Sequence, residues 1–290
     1  ILVIGAGIGG LSAAIQLQNA GYQVEIYEKN AVPGGKMNRL EFDGHSFDVG
    51  PTLVMMPSIY REIFELAGRN PDDYIPMTKL NPMYDVYFNS SPLRSYSISN
   101  DLEELHKIFE SKGFENSMGL YDYLSSIYKR YQIALEHFIT KPFRHKRDFY
   151  NPKVLWNALK LKTFDSADQM MAKFIPDKDF QQMLSFQTLY IGVSPKKGPS
   201  LYNIIPMIEL LYGVWFIKGG MFTMASQMAR LFEELGGKIH YEMPVEEIIT
   251  KNHKVRGISV SGKEIFADAV VCNADFPYAM KNLIKNDSDK

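Results

Sequence analysis

The run ILVIGAGIGG at residues 1–10 constrains the fold more than any other stretch of the chain. Ile1 to Ile4 is apolar and β-branched, as a strand buried on both faces requires. Gly5, Gly7 and Gly10 follow as G-x-G-x-x-G, and Leu11 to Asn19 then reads as a helix that Gly21 stops. VEIYE from Val24 supplies a second strand, and Glu28 stands at its end. The three glycines serve different ends, with a tight turn at Gly5, backbone approach to a pyrophosphate at Gly7 and close helix–strand packing at Gly10. The helix start offers free N–H groups to phosphate, and Glu28 is placed to accept from an adenosine ribose while disfavouring a 2′-phosphate. NAD and FAD both satisfy that much.

Gly34 and Gly35 follow where a simple NAD domain enters its next helix, with Lys36 and Arg39 after them. Asp43-Gly44 is a turn between LEF and HSFDV, a small hairpin leading into Gly50-Pro51-Thr52. Paired glycines let a backbone pass beside a pyrophosphate, and a basic side chain faces its charge.

Composition excludes several functions. The 290 residues carry 32 basic and 33 acidic side chains, a net charge of -1, so no global field recruits nucleic acid. The single cysteine, Cys272, rules out an internal disulfide framework, and the six histidines show no metal-ligand spacing; no metal site is expected. No signal peptide and no membrane-spanning apolar run is visible. The expected place is the cytoplasm.

VIGAGIGGL with Glu28, then GGKMNRL, then FDVGPT, resembles the amino-terminal flavin-binding half of the FAD-dependent amine oxidase and carotenoid desaturase superfamily. FQTLYIGVSPKKGPSLYNIIPMIEL and YGVWFIKGGM narrow the likeness to bacterial phytoene-type desaturases, above all the C30 branch, the 4,4'-diapophytoene (dehydrosqualene) desaturases. The resemblance implies an α/β, Rossmann-like FAD-binding domain with an inserted, largely helical α+β substrate domain. It implies desaturation of a C30 carotenoid hydrocarbon by hydride transfer to FAD, at the cytoplasmic face of a membrane. On the family pattern Gly5, Gly7 and Gly10 line the pyrophosphate turn and Glu28 the ribose. Gly34, Gly35 and Arg39 lie beneath the pyrophosphate and ribityl chain, with Lys36 replacing the usual arginine clamp. Gly50, Pro51 and Thr52 approach the isoalloxazine, Val245 reads the adenine edge, and Lys218, Gly219 and Gly220 return beside the flavin. Nothing like the family's closing Gly-rich segment follows Cys272-Asn273-Ala274-Asp275, so the chain alone is expected to hold flavin weakly.

The expected division is residues 1–55 and 217–290 for the FAD-binding domain and 56–216 for the inserted one. Between them the sequence reads as a hairpin over Met83–Ile98 and helices at Asp101–Glu110, Tyr121–Phe138, Pro152–Leu161, Asp165–Phe174, Phe180–Tyr190 and Leu201–Leu211. EIFADAVVC reads as one strand. From Lys141 to Lys162, Lys141, Arg144, Lys146, Arg147, Lys153, Lys160 and Lys162 interleave with Phe143, Phe149, Tyr150 and Trp156. That pattern suits either a solvated face or a membrane surface. No catalytic base is singled out, although Glu209 and Lys218 flank the expected flavin region. A carotenoid oxidase of the same superfamily and a non-catalytic isoprenoid-binding relative are the competing readings.

Overall fold

The computed structural model describes residues 1–139, 145, 148, 150, 152, 154, 156 and 165–285. In chain order it begins with β1 (Leu2–Ile4), α1 (Ile8–Asn19), β2 (Glu25–Tyr27), β3 (Asn38–Phe42), β4 (His45–Val49), β5 (Val54–Met55), α2 (Pro57–Leu66) and β6 (Met77–Lys79). Then come β7 (Tyr84–Phe88), β8 (Arg94–Ile98), α3 (Leu102–Glu110), α4 (Phe114–Ala134), α5 (Ala167–Met171) and α6 (Lys178–Met183). Two 3-10 turns, Phe186–Ile191 and Ser200–Asn203, precede α7 (Ile204–Tyr212). The chain continues through β9 (Val214–Ile217), α8 (Phe222–Glu234), β10 (Lys238–His240), β11 (Val245–Lys251), β12 (Lys254–Val260), β13 (Lys263–Phe266), β14 (Val270–Cys272) and α9 (Phe276–Tyr278). Two compact units result, one of Ile1–Lys79 with Trp215–Lys290, the other of Leu80–Val214.

The first unit is built on a parallel sheet of order β10-β2-β1-β14, with Leu2 paired to Glu25 on one side and Val270 on the other. Alternation of side chains sends Val3 and Ile26 to one face, where Leu11, Ala14 and Ile15 of α1 and Met228 and Phe232 of α8 cover them. Leu2, Ile4 and Tyr27 point the other way and pack under the antiparallel sheet β11-β12-β13, against Ile248, Ile258 and Val260. This two-sided burial explains why the opening strand is wholly apolar.

Around the first unit two readings of the sequence need revision. Ile63 and Phe64 of α2, with Ala67, Tyr74 and Ile75 after it, are buried in the same core as Val3 and Leu11. The insert therefore runs over residues 80–214 rather than 56–216. EIFADAVVC is two strands in two sheets: β13 pairs antiparallel with β12, and β14 pairs parallel with β1.

The inserted unit holds the β7–β8 hairpin in the register Tyr84↔Ile98, at the place read from the sequence. Asp101 caps α3 by accepting from the N–H groups of Glu103 and Glu104. The following helix, α4, starts earlier than Tyr121, directly after Gly113, whose φ of 110° breaks the chain there. The segment Phe180–Tyr190 is not one helix: after α6 the Ser185 hydroxyl bonds back to the Gln182 carbonyl, and a 3-10 turn follows. Phe109 and Phe180 stack at 4.2 Å in its core. The helix expected at Pro152–Leu161 and the basic run, including Arg144, Lys146 and Arg147, lie largely outside the described residues. Among the described residues no helix is long and apolar enough to cross a membrane.

Candidate functional site

The glycine turn is fixed from both sides. Gly5 leaves β1 with φ of 95° and donates its N–H to the Tyr27 carbonyl at 2.8 Å. A Cβ on Gly10 would lie 2.1 Å from the Gly5 carbonyl oxygen, so only glycine lets α1 sit this close to β1. The helix start at Gly7 has no side-chain cap, and its first turn holds no acidic residue. Its leading N–H groups and the positive end of the helix dipole therefore suit a phosphate.

The second glycine pair comes to the first. Gly34 donates its N–H to the Ala6 carbonyl at 2.8 Å, and Gly7 and Gly34 form a parallel bridge. Gly34 and Gly35 have φ of 109° and 59°, and a Cβ on Gly35 would stand 3.3 Å from the Cα of Gly7. Gly50 closes on the same loop, since its Cβ would lie 2.3 Å from the Lys36 carbonyl oxygen. Lys36, Pro51 and Thr52 are exposed beside this junction.

Glu28 is buried, only 4% exposed, and its carboxylate braces the turn. One oxygen accepts from the Ala6 N–H at 2.7 Å and the other from the Asn30 N–H at 2.9 Å. A carboxylate has about four acceptor sites, so both oxygens keep capacity for a further donor. The Glu28 carbonyl accepts from Met243, two residues before Val245, which opens β11 and packs against the cluster that holds Tyr27. Arg39 turns to protein partners instead of standing free: its guanidinium lies over the Phe222 ring at 5.2 Å and meets Glu41 at 3.0 Å.

Two residues outside the predicted set matter here. Asp48, directly opposite Arg39 in the β3–β4 hairpin, accepts from the N–H groups of Met221 and Phe222 at 2.9 and 3.4 Å and so caps α8. Its position inside FDVGPT was the only sequence hint. Asn273 follows β14 and lays its side chain on the glycine turn, where a Cβ on Gly9 would come 2.7 Å from Nδ2. In the inserted unit, Glu209 is almost wholly buried, and burial pushes its carboxyl up to about 7.

These features fit a flavin dinucleotide: an uncapped helix start, glycines whose Cβ positions the backbone itself would fill, and a buried carboxylate with acceptor capacity to spare. Known proteins agree. The chain is 42% identical over 286 residues to the 4,4'-diapophytoene desaturase (4,4'-diaponeurosporene-forming) of Staphylococcus haemolyticus, and 43% identical to that of Staphylococcus aureus (strain bovine RF122 / ET3-1). Each alignment takes in 98% of this chain and 57% of the relative, so the chain spans little more than half of their length. Among solved structures, an oxidoreductase from Methanosarcina mazei matches with a TM-score of 0.63 at 18% identity, covering 94% of this chain and 58% of that one. A fatty acid isomerase from P. acnes matches with a TM-score of 0.60 at 16% identity, covering 99% and 61%. At such identities these two establish the fold alone. The sequence pattern of the flavin containing amine oxidoreductases matches residues 8–286, nearly the whole chain, and with FAD as the cofactor its cradle fits, the chain belongs to that family.

Proposed function

We propose that this chain is the FAD-binding and substrate-enclosing part of a desaturase that introduces C=C bonds into a C30 carotenoid precursor, converting 4,4'-diapophytoene towards 4,4'-diaponeurosporene. The observation that carries this reading is the identity of 42–43% over 286 residues to proteins of that activity, continuous through both units. Bound FAD supplies the oxidising power, accepting a hydride from the hydrocarbon.

The chain's own residues supply position and a dry site. The uncapped start of α1 and the Gly7–Gly34 bridge hold the pyrophosphate between two backbones with no side chain intervening. Glu28 accepts from the ribose with its remaining lone pairs, and Val245 presents β11 backbone to the adenine. Gly50, Pro51 and Thr52 approach the isoalloxazine, and Lys36 offers a point charge to the phosphates. Asn273, resting on Gly7 and Gly9, adds a side-chain amide at the same turn.

The hydrocarbon has no polar handle, so the inserted unit must offer it apolar surface. We further propose peripheral attachment to the cytoplasmic face of a membrane through the basic, aromatic run Lys141–Lys162, since the substrate resides in lipid. The test of the main reading is direct. The complete protein carrying this chain, loaded with FAD and given 4,4'-diapophytoene in vesicles, should yield products whose absorption shifts to longer wavelength with each added double bond. Flavin that remains oxidised under anaerobic conditions with that substrate would refute the reading.

A further inference from the structure

Gly9 is a glycine that the turn itself does not require. It is the second spacer before Gly10 in G-x-G-x-x-G, lies in the first turn of α1, and does not have a positive φ. Glycine weakens a helix relative to alanine, so space and not backbone conformation must account for it. Asn273 takes up that space. A Cβ on Gly9 would stand 2.7 Å from its Nδ2, 3.4 Å from its Cγ and 3.5 Å from its Oδ1. A Cβ on Gly7 would stand 3.3 Å from Oδ1, and one on Gly10 would stand 3.3 Å from the Asn273 Cβ. One side chain thus lies across Gly7, Gly9 and Gly10, and Gly9 leaves the room for its amide nitrogen.

Backbone pairing holds the side chain in place. β14 runs parallel to β1 with Cys272 opposite Ile4, and the Asn273 N–H donates to the Ile4 carbonyl at 2.9 Å. Asn273 therefore leaves the sheet at the level where Gly5 leaves it. Its amide is turned against ordinary capping. A residue that caps a helix presents an oxygen to the first N–H groups. Here the nitrogen comes nearest Gly9, and the exposed side chain has no hydrogen-bond partner among the described residues. Its N–H groups stand beside the uncapped N–H groups of α1. Donors gathered around one space, with the positive end of a helix dipole behind them, favour an anion between them.

We propose that Asn273 is a positioning residue for the dinucleotide: its side-chain N–H groups donate to the pyrophosphate from β14, and Gly9 is small to admit them. This deepens the flavin reading above and rests on it. The contact links cofactor to sheet. Because β14 carries Asn273, a pyrophosphate that accepts from it also favours the pairing of β14 with β1. A carboxylate at the same place would do the reverse, capping α1 in the cofactor-free protein and repelling the phosphates.

The experiment titrates FAD calorimetrically into the cofactor-free complete protein carrying this chain. Asn273→Ala should raise the Kd for FAD about 10- to 100-fold, as loss of a hydrogen bond to a charged group does. It should leave the thermal midpoint of the cofactor-free protein unchanged. Asn273→Asp should raise that midpoint yet weaken FAD binding at least as much as Asn273→Ala, a divergence that a purely structural asparagine would not produce. Gly9→Ala, whose Cβ displaces the Asn273 amide, should weaken FAD binding to the same degree as Asn273→Ala. The double variant should then bind no worse than either single one. Unchanged affinity in Asn273→Ala, or Asn273→Asp binding as tightly as wild type, would overturn the contact and leave the flavin reading intact. Losses that add in the double variant would show that Gly9 clears space for the phosphates themselves, and would overturn its pairing with Asn273. Wild-type protein without measurable FAD affinity would overturn the flavin reading, and this role with it.

Discussion

Asp48 is the residue by which the β3–β4 hairpin holds the start of α8, and removing its carboxylate should loosen that junction by a predictable amount. Asp48→Ala leaves the N–H groups of Met221 and Phe222 without their side-chain acceptor. Loss of a capping side chain costs about 0.5–2 kcal/mol, and loss of a negative charge at a helix N-terminus about 0.3–1 kcal/mol more. The expected total is about 0.8–3 kcal/mol, which in urea displaces the midpoint by roughly 0.3–1 M for a slope of about 3 kcal/mol/M, the upper end of the usual range. Asp48→Asn keeps an acceptor oxygen and should lose only the charge component. Trp215 in β9 packs against the core of the first unit and reports its unfolding. The chain holds two tryptophans, so a Trp156→Phe background isolates that signal. An Asp48→Ala midpoint equal to that of the background protein would refute the capping argument. Equal losses in the Ala and Asn variants would refute the division into hydrogen bond and charge.

Other expectations follow from the same geometry. Glu28→Gln turns an amide N–H2 towards one of two backbone donors, Ala6 or Asn30, and should weaken FAD binding by about 1–3 kcal/mol; unchanged affinity by calorimetric titration would contradict the role of Glu28. Gly10→Ala drives a Cβ into the Gly5 carbonyl and should cost about 1–3 kcal/mol of stability, so a wild-type thermal midpoint would contradict the close approach. Exchanging Arg144, Lys146 and Arg147 together for Gln should reduce sedimentation with anionic vesicles, the loss shrinking as salt rises. FAD affinity should not change, and sedimentation equal to wild type would remove the membrane proposal.

The parts legible in the sequence were those whose chemistry is local. Gly5, Gly7, Gly10 and Glu28 lie within one βαβ unit, and a turn, a helix start and a strand end are each declared by their neighbours in the chain. Gly34 and Gly50 were readable for a similar reason, since positive φ and close backbone approach leave few alternatives to glycine. What stayed hidden depends on distant partners. Asn273 reaches the glycine turn only because β14 joins β1, a pairing that EIFADAVVC concealed by looking like a single strand. The helix α2 has an ordinary amphipathic pattern, and nothing in PSIYREIFEL says which core receives Ile63 and Phe64. Glu209 could be noticed in sequence, but its near-complete burial is a property of the packed unit.

The placement of β1 also sets an order of assembly. Leu2–Ile4 lies between Glu25–Tyr27, which emerges almost at once, and Val270–Cys272, which is made far later. At ribosomal speeds of roughly 5–20 residues per second, the interval is on the order of tens of seconds. Leu80–Val214 is continuous and completes its own contacts within that interval. The first unit cannot finish its sheet until after it. During synthesis both edges of the nascent β1–β2 pair therefore stay open, exposing the backbone groups that β10 and β14 will occupy. Slowed elongation over the insert would lengthen that exposure, and a chaperone that shields apolar strands would act on Leu2–Ile4 during this window.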